Sequence, residues 1–251
     1  MKIEVIGLRV DREFREGDDV AKAIVEAAAS NNVSIRDGDV IVVTHKVVSK
    51  AEGRVVDLRN IKPSSRALEI AEKLGKDPRL VEVILRESRE VLKCESGHLI
   101  TMTRHGIVCA NSGVDQSNSG GVDRVILLPV DPDESARRIR EGVEKLTGAR
   151  VAVVITDTQG RPFREGVVNI AIGFSGMNPF RDYRGVRDRC GYELKITVVN
   201  IVDEIAATAE LLMGQASEST PFVIIRGLRY EYSLDYGLRD ILMERGKWLF
   251  K

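Results

Sequence analysis

The sequence predicts a mixed α/β protein. Apolar runs typical of buried strands alternate with periodic segments typical of helices along the whole chain. The composition is that of a globular protein, with 43% of the 251 residues hydrophobic and 30% charged. Neither an internal repeat nor a low-complexity linker divides the chain, so the pattern gives no clean domain boundary.

The first half of the chain contains four predicted elements. Residues 38–48, GDVIVVTHKVV, predict a buried strand that runs into a polar turn. Residues 63–75 predict a helix that begins at a serine cap and ends at a glycine, and residues 79–92 predict a second helix. Residues 99–110 predict a hairpin that turns at a His-Gly pair.

The second half continues the alternation. Residues 131–148 predict a strong helix, because the segment has an acidic start, a proline and a terminal glycine. Residues 150–161 predict an apolar strand that stops abruptly at a polar loop. Residues 193–214 predict a strand followed by a helix, and residues 222–227 predict a late strand. The polar, glycine-containing residues 181–193 predict a loop or a hinge between subdomains.

Charge and cysteine usage exclude several classes of protein. The 38 basic and 38 acidic residues balance, which argues against nucleic acid or an anionic membrane as the main partner. Cys94, Cys109 and Cys190 are far apart, so neither a disulfide framework nor a zinc site is expected. The N-terminus lacks the features of a signal peptide, and no apolar run is long enough for a membrane helix. We therefore expect a cytoplasmic protein.

Polar segments follow apolar elements at three places: residues 111–118 (NSGVDQSN), 156–161 (TDTQGR) and 213–221 (MGQASESTP). Asp115 and Asp157 could converge on magnesium or manganese, since hard cations prefer carboxylate, amide and hydroxyl oxygens. Glycines in the first two segments would let backbone N–H groups approach a phosphate. The alternative is that these Asp and Asn side chains only close turns, which is common in loops. The residues alone leave both interpretations open.

A basic run, THKVVSKAEGR at residues 44–54, follows the first strand. Lys46 and Lys50 are four residues apart, so a helical turn would place them on one side. One interpretation is that a lysine in this run neutralises the charge of a phosphate. The alternative is that Lys46 and Lys50 only belong to a solvated, charged turn. His45 alone is interpreted as a polar residue at the strand end. The chain contains neither a P-loop nor a G-x-G-x-x-G motif, so a nucleotide would bind by another route.

Five stretches, in this order and spacing, resemble the coenzyme F420-0:L-glutamate ligase family: VVTHKVVSKAEGR, NSGVDQSN, LLPVDPDESA, VVITDTQGRPFREGVVNIAIG and DEIAATAELLMG. The resemblance runs from about Glu16 to Gly227. It implies a two-part α+β fold over residues 1–251 that forms an intertwined homodimer. It also implies a GTP-dependent amide ligase that adds L-glutamate to coenzyme F420-0, and then a second glutamate through a γ-linkage. Two magnesium or manganese ions would be required, and potassium would stimulate.

The resemblance also assigns residues. The metal ions would be held by Asp115, Asp157, Thr158 and Gln215. The nucleotide would be contacted by Thr44, His45, Lys50, Asn118, Met213, Gly214 and Gln215. Asp115 and Asp157 would thereby be catalytic. Arg161 is a further catalytic candidate, because its guanidinium suits either the transferred phosphoryl group or a substrate carboxylate.

This reaction class needs an activated carboxylate, so we expect an acyl phosphate formed from GTP and attacked by the glutamate amine. Such an intermediate needs shielding from water, and the loops around Ser217 and Arg184 are candidate lids. Two alternatives stay open. One is a paralogous ligase with another acid or amine, and the other is a non-catalytic module that binds GTP and metal.

Overall fold

A computed structural model describes residues 2–249 of the chain. Its strands, in chain order, are β1 (Glu4–Leu8), β2 (Val40–Thr44), β3 (Val55–Asp57), β4 (Ser88–Glu95), β5 (His98–Thr103), β6 (Val108–Ala110), β7 (Arg124–Ile126), β8 (Ala152–Arg161), β9 (Arg164–Ser175), β10 (Phe180–Asp182), β11 (Val198–Asn200) and β12 (Phe222–Arg226). Its α-helices are α1 (Val20–Ser30), α2 (His45–Ala51), α3 (Ser65–Leu74), α4 (Pro78–Glu87), α5 (Pro132–Thr147), α6 (Ile201–Met213) and α7 (Leu238–Ile241). Short 3₁₀ helices lie at Leu58–Asn60, Asn111–Gly113 and Arg245–Lys247.

A five-stranded sheet with the order β1-β12-β2-β8-β9 organises the molecule. β2 and β8 pair in parallel, and the other neighbouring strands are antiparallel. Because parallel strands end at the same edge of a sheet, Thr44 at the end of β2 lies beside Thr156 of β8. Pro221, just before β12, accepts a hydrogen bond from the backbone N–H of Thr44. Three chain segments therefore meet at one edge.

Helices cover both faces of this sheet. Ile41 and Val43 of β2 pack into a core with α1 and α5, whereas Val40 and Val42 pack into a core with α6. All four side chains are fully buried. A strand covered on both faces is apolar throughout rather than alternating, which is why β2 reads as a continuous apolar run.

A third core lies within residues 55–127. It joins α3 and α4 to side chains such as Leu58, Leu99 and Val125. β3 pairs with β7, and β4, β5 and β6 form a separate antiparallel sheet. This part of the chain carries the segment that contains Asp115, which bridges to Ile126. None of the helices within residues 2–249 has the length and apolar character needed to cross a membrane.

Several predicted elements are confirmed. α3 begins after the cap Ser64, whose hydroxyl accepts the N–H of Ala67, and it ends at the left-handed Gly75. α5 begins with a proline after Asp131 and ends at Gly148. The hairpin of β5 and β6, the helix α6 and the late strand β12 are also present.

The predicted helix at residues 79–92 is wrong in its second half. α4 ends at Glu87, and β4 begins at Ser88 and pairs with β5. Local periodicity favoured one long helix, but pairing with a strand ten residues further along overrides it. The strand predicted near the start of residues 193–214 is likewise short, because β11 begins only at Val198.

Two predicted loops are in fact regular elements. Residues 156–161 do not leave the sheet, because β8 continues to Arg161 and pairs with β9 as a long hairpin. The side chains are polar there because the hairpin borders a cleft at one end and is exposed at the other. The polar turn predicted after β2 is the helix α2, which does place Lys46 and Lys50 four residues apart on a helix.

Candidate active site

A cleft of about 360 Å³ lies at the edge where β2 and β8 end. The start of α2, the end of α6 and residues 214–221 form its walls, together with a segment near Glu13. The cleft therefore sits outside the carboxyl ends of two parallel strands, where sheets of this kind commonly bind ligands.

Nine of the eleven residues predicted for the site line this cleft. They are Thr44, His45, Lys50, Asn118, Asp157, Thr158, Met213, Gly214 and Gln215. Residues that are far apart in the sequence are thus brought together by the parallel pairing of β2 with β8 and by the return of α6 to the same edge.

Asp157 and His45 form the floor of the cleft. His45 is buried, with its Nε2 atom 3.2 Å from Asp157 Oδ1, although the angle leaves this nitrogen without a hydrogen bond. Its Nδ1 atom lies 3.3 Å from Ser49 Oγ. Burial, with the charge of Asp157 added, raises the pKa of the Cys109 thiol to about 12, so this cysteine is not a nucleophile at neutral pH. The buried imidazole of His45 and the carboxylate of Asp157 thus lie side by side in the cleft.

A polar chain extends from Thr158 across the cleft. The Thr158 hydroxyl donates to Asn169 Oδ1 at 2.9 Å and accepts from Gln215 Nε2 at 2.9 Å. The same nitrogen of Gln215 donates to Glu210 Oε1 in a very short contact. Hydrogen bonds therefore connect β8 to the turn after α6. The side chains that form them also carry oxygen atoms able to bind a metal ion.

Asp115 lies behind Lys46 and does not itself line the cleft. Its Oδ2 atom is 2.8 Å from Lys46 Nζ, which also donates to Ser117 Oγ at 2.6 Å. Burial opposes ionisation of Asp115, but hydrogen bonds from Lys46 and Ser117 outweigh it and hold the pKa of Asp115 below its ordinary value. Asp115 is consequently an ionised carboxylate that a lysine neutralises.

Lys50 reaches the cleft from α2 and pairs with Glu13 at 2.8 Å. The Lys50 side chain is 14% exposed and that of Glu13 is 80% exposed. Glu13, Arg12 and Glu210 line the cleft but were missed from the sequence. A signal existed only for Glu210, since an acidic residue in the last turn of a helix opposes the helix dipole.

Arg161 is not brought into the cleft. It lies at the exposed tip of the β8–β9 hairpin, where its Nη2 atom donates to the backbone oxygen of Glu165 at 3.2 Å. The location of the Arg161 side chain in this subunit therefore does not support the predicted catalytic role.

The turn after α6 exposes backbone N–H groups to the cleft. Gly214 has φ +64° and ψ −172°, a conformation that is essentially restricted to glycine. The carboxylate of Glu218 folds over Gly214 and accepts the N–H of Ala216 at 2.8 Å. This hydrogen bond, with those from neighbouring N–H groups, lowers the pKa of Glu218. The turn therefore already holds an anionic group.

Comparison with known proteins identifies the family. The sequence model described as F420-0:Gamma-glutamyl ligase matches residues 8–227. The chain belongs to this family. The proteins named coenzyme F420:L-glutamate ligase in three archaea are similar to it. That of Methanopyrus kandleri is 52% identical over 231 residues, which are 92% of this chain and 88% of the relative. That of Methanocaldococcus jannaschii is 46% identical over 250 residues, 100% and 97% of the two chains. That of Methanothermobacter thermautotrophicus is 45% identical over 254 residues, 100% of both chains.

Membership of the F420-0:gamma-glutamyl ligase family confirms the predicted family, the mixed α+β fold class and the ligase class of enzyme. The donor set suits a hard cation, because Asp157, Thr158, Gln215 and Glu210 all offer oxygen atoms. One of these, Glu210 Oε2, is buried without a hydrogen-bond partner. Within residues 2–249, no three His, Cys, Asp or Glu side chains cluster as a metal site by themselves. A cation in this ligase would therefore rely on neutral oxygens and on its substrate as well.

Proposed function

We propose that the chain catalyses the GTP-dependent addition of L-glutamate to coenzyme F420-0, and then of a second glutamate through a γ-linkage. The observation that carries the proposal is that nine residues predicted for nucleotide and metal converge on one cleft. The chain also belongs to a ligase family, and relatives similar over most of their length are named coenzyme F420:L-glutamate ligase.

The chemistry follows from the weakness of a carboxylate as an electrophile. A carboxylate oxygen of coenzyme F420-0 would attack the γ-phosphorus of GTP, and GDP would leave. The glutamate amine would then attack the acyl carbon of the resulting acyl phosphate. Inorganic phosphate would leave, the amine nitrogen would lose a proton, and an amide bond would form.

Side chains of the cleft can position a nucleotide for this reaction. Lys50 would neutralise phosphate charge after release from Glu13, whose carboxylate is 80% exposed and therefore solvated when the ion pair opens. Asn118 and the backbone around Gly214 would contact the nucleotide. Phosphate oxygens are good acceptors for such N–H groups, and here they would replace the carboxylate of Glu218.

Two magnesium or manganese ions would be held by Asp115, Asp157, Thr158 and Gln215. When bound, such ions neutralise phosphate charge and polarise the transferred group. Asp115 would have to exchange its contact with Lys46 for this role, and His45 would keep Asp157 oriented. Stimulation by potassium is part of the same proposal.

The proposal includes a homodimer. Residues 181–198, which we name the arm, leave the main sheet between β9 and α6 and expose Val186, Tyr192 and Ile196. Exposed apolar side chains on a protruding segment are typical of protein–protein contacts. A partner subunit is also one way in which Arg161, at the exposed hairpin tip, would reach a reacting carboxylate or phosphoryl group.

An oxygen-labelling experiment tests the acyl phosphate directly. Coenzyme F420-0 carrying ¹⁸O in its acceptor carboxylate is incubated with the protein, GTP, manganese and L-glutamate. We expect one labelled oxygen to appear in inorganic phosphate for each first glutamate attached, whereas the second glutamate joins an unlabelled carboxylate and releases unlabelled phosphate. Product without labelled phosphate would contradict the intermediate. Turnover only with another acid would indicate a paralogous ligase, and GTP binding without turnover of any acceptor would indicate a binding module.

A further inference from the structure

Glu210 occupies an unfavourable position for a carboxylate. It lies in the last turn of α6 and faces the cleft. The carboxyl end of a helix carries partial negative charge, and this last turn has no basic residue to offset it. The Oε2 atom of Glu210 is buried without a hydrogen-bond partner. Among the described residues, no lysine, arginine or histidine forms an ion pair with this carboxylate.

The other oxygen of Glu210 lies next to residues predicted to bind metal. It contacts Gln215 Nε2, and that nitrogen is 2.9 Å from the Thr158 hydroxyl. The carboxylate of Glu210 and the hydroxyl of Thr158 thus flank a single nitrogen atom. The side-chain amide of Gln215 can turn to present its oxygen instead of its nitrogen. Three oxygen atoms of this chain would then face one point.

We propose that Glu210 is a further ligand of the metal ion held by Thr158 and Gln215. The inference rests on the metal requirement of the proposed function. Magnesium and manganese are commonly held by one or two carboxylates together with substrate phosphates. Thr158 and Gln215 are neutral, so Glu210 supplies negative charge that they lack. Glu210 is half-buried, and its buried Oε2 atom has neither a hydrogen bond nor a counter-charge, so a bound cation would remove an unfavourable interaction.

Manganese binding tests the inference without any measurement of turnover. Mn²⁺ alone is titrated into the wild-type protein, Glu210→Gln and the control Glu204→Gln, and unbound Mn²⁺ is followed by electron paramagnetic resonance. Glu204 lies on the exposed side of the same helix, so its variant has the same change of charge. We expect Glu210→Gln to bind Mn²⁺ at least about tenfold more weakly, the loss that even a hydrogen-bond partner of a ligand causes. Glu204→Gln should match the wild type.

Thermal unfolding separates a ligand from a structural residue. In metal-free buffer, Glu210→Gln should unfold at the same temperature as the wild type or higher, because an uncompensated carboxylate has been removed. Added Mn²⁺ should raise the melting temperature of the wild type more than that of Glu210→Gln. A lower melting temperature without metal, combined with unchanged Mn²⁺ binding, would show a structural role and overturn the inference.

The possible failures are distinguishable. Equal Mn²⁺ binding by the wild type and Glu210→Gln overturns the assignment of Glu210 and leaves the proposed function intact. Absence of Mn²⁺ binding by the wild type overturns the Glu210 assignment, whereas the metal requirement of the proposed function is overturned only by turnover without added metal. If Glu210→Gln does not fold, Glu210→Asp decides, since it keeps the charge but shortens the reach. A lower Mn²⁺ affinity of Glu210→Asp than of the wild type supports the inference. An Mn²⁺ affinity of Glu210→Asp equal to that of the wild type contradicts it.

Discussion

Asp157 is the residue on which the candidate site depends most. It lies on β8 inside the cleft, with His45 on one side and Thr158 next in the chain. We expect Asp157→Asn to lower kcat by about 100-fold or more, because a neutral amide stabilises less charge in the transition state. The measurement is GDP formation under saturating GTP, L-glutamate and coenzyme F420-0.

The matched control for Asp157→Asn is Glu165→Gln, which removes an exposed negative charge from the same hairpin. Both variants should keep the melting temperature of the wild type to within a few degrees. Near-normal turnover by Asp157→Asn would remove Asp157 from the mechanism. An equal loss of turnover in Glu165→Gln would point to the hairpin as a whole rather than to the carboxylate in the cleft.

Arg161 is the residue for which sequence and structure differ most. Its side chain is at the hairpin tip, so a role in turnover requires a partner subunit or closure of the hairpin. We compare Arg161→Ala with Arg164→Ala at the other side of the tip. A fall in kcat/KM confined to Arg161→Ala would assign it a substrate contact. Equal kcat/KM values for the two variants and the wild type would show that Arg161 has no role in turnover.

The sequence predicted which residues lie in the site only where those residues belong to a recognisable motif. Thr44, His45 and Lys50 belong to one recognisable run, so their presence in the cleft followed from the sequence. The pairing of Lys46 with Asp115 joins residues in two separate polar segments, and no local pattern encodes it. Glu210 gives one sequence signal, an acidic side chain in the last turn of a helix, and the burial of its Oε2 atom adds what the sequence does not show.

At the scale of elements, the turn after α6 is fixed by Gly214. A Cβ atom there would approach the carboxyl carbon of Glu218 to 2.1 Å, and the backbone conformation is strained for any other residue. We expect Gly214→Ala to cost about 1–3 kcal/mol of unfolding free energy and to weaken GTP binding. Calorimetric titration with GTP and denaturant unfolding measure the two effects.

Gly160→Ala is the control for Gly214→Ala. Gly160 lies on β8, has no positive φ, and a Cβ there would meet no atom within 4 Å. Its substitution should leave GTP affinity unchanged. Wild-type GTP affinity in Gly214→Ala would mean that the turn does not contact the nucleotide.

Glu82 links α3 to α4 and makes stability depend on pH. Hydrogen bonds from Ser64, and from Arg86, lower the pKa of Glu82 from 4.5 to about 2. A lowered folded-state pKa contributes stability that is complete above the unfolded pKa and is lost as the pH falls toward the folded pKa. We expect Glu82→Gln to destabilise the protein by roughly 1 kcal/mol at pH 7 and by less at pH 3.5.

Urea unfolding of the wild type and Glu82→Gln at the two pH values measures this effect. Glu69→Gln, an exposed substitution on α3, is the control and should show little change at either pH. A Glu82→Gln effect that is the same at pH 7 and pH 3.5 would show that shape, and not charge, is what Glu82 contributes.

Element boundaries were predictable where local signals were strong. Ser64 and Gly75 mark the ends of α3, and the apolar run of β2 marks a strand covered on both faces. Residues 79–92 were misjudged because the periodic pattern of α4 continues past Glu87, and pairing with β5 decides the outcome. The extension of β8 to Arg161 also depends on a partner strand, which the polar sequence does not reveal.

At the scale of the whole molecule, the exposed arm predicts self-association. The arm exposes three large apolar side chains, Val186, Tyr192 and Ile196, and Ile196 is 88% exposed. Several exposed apolar side chains on one segment are typical of a contact surface. We expect the wild type to sediment as a dimer and Ile196→Asp to shift it toward monomer. Val122→Asp is the control, since Val122 is 90% exposed in a loop outside the arm. A monomeric wild type, or an Ile196→Asp variant that stays fully dimeric, would contradict this role for the arm.

The most direct test of the central claim is the mass of coenzyme F420-0 after incubation with the purified protein, L-glutamate, GTP and manganese. The proposed function predicts a gain of one or two glutamyl units that disappears when either GTP or manganese is omitted. An unchanged mass, with the protein folded and GTP bound in the cleft, would contradict coenzyme F420-0 as the acceptor. A gain that persists without GTP would contradict the nucleotide-dependent mechanism.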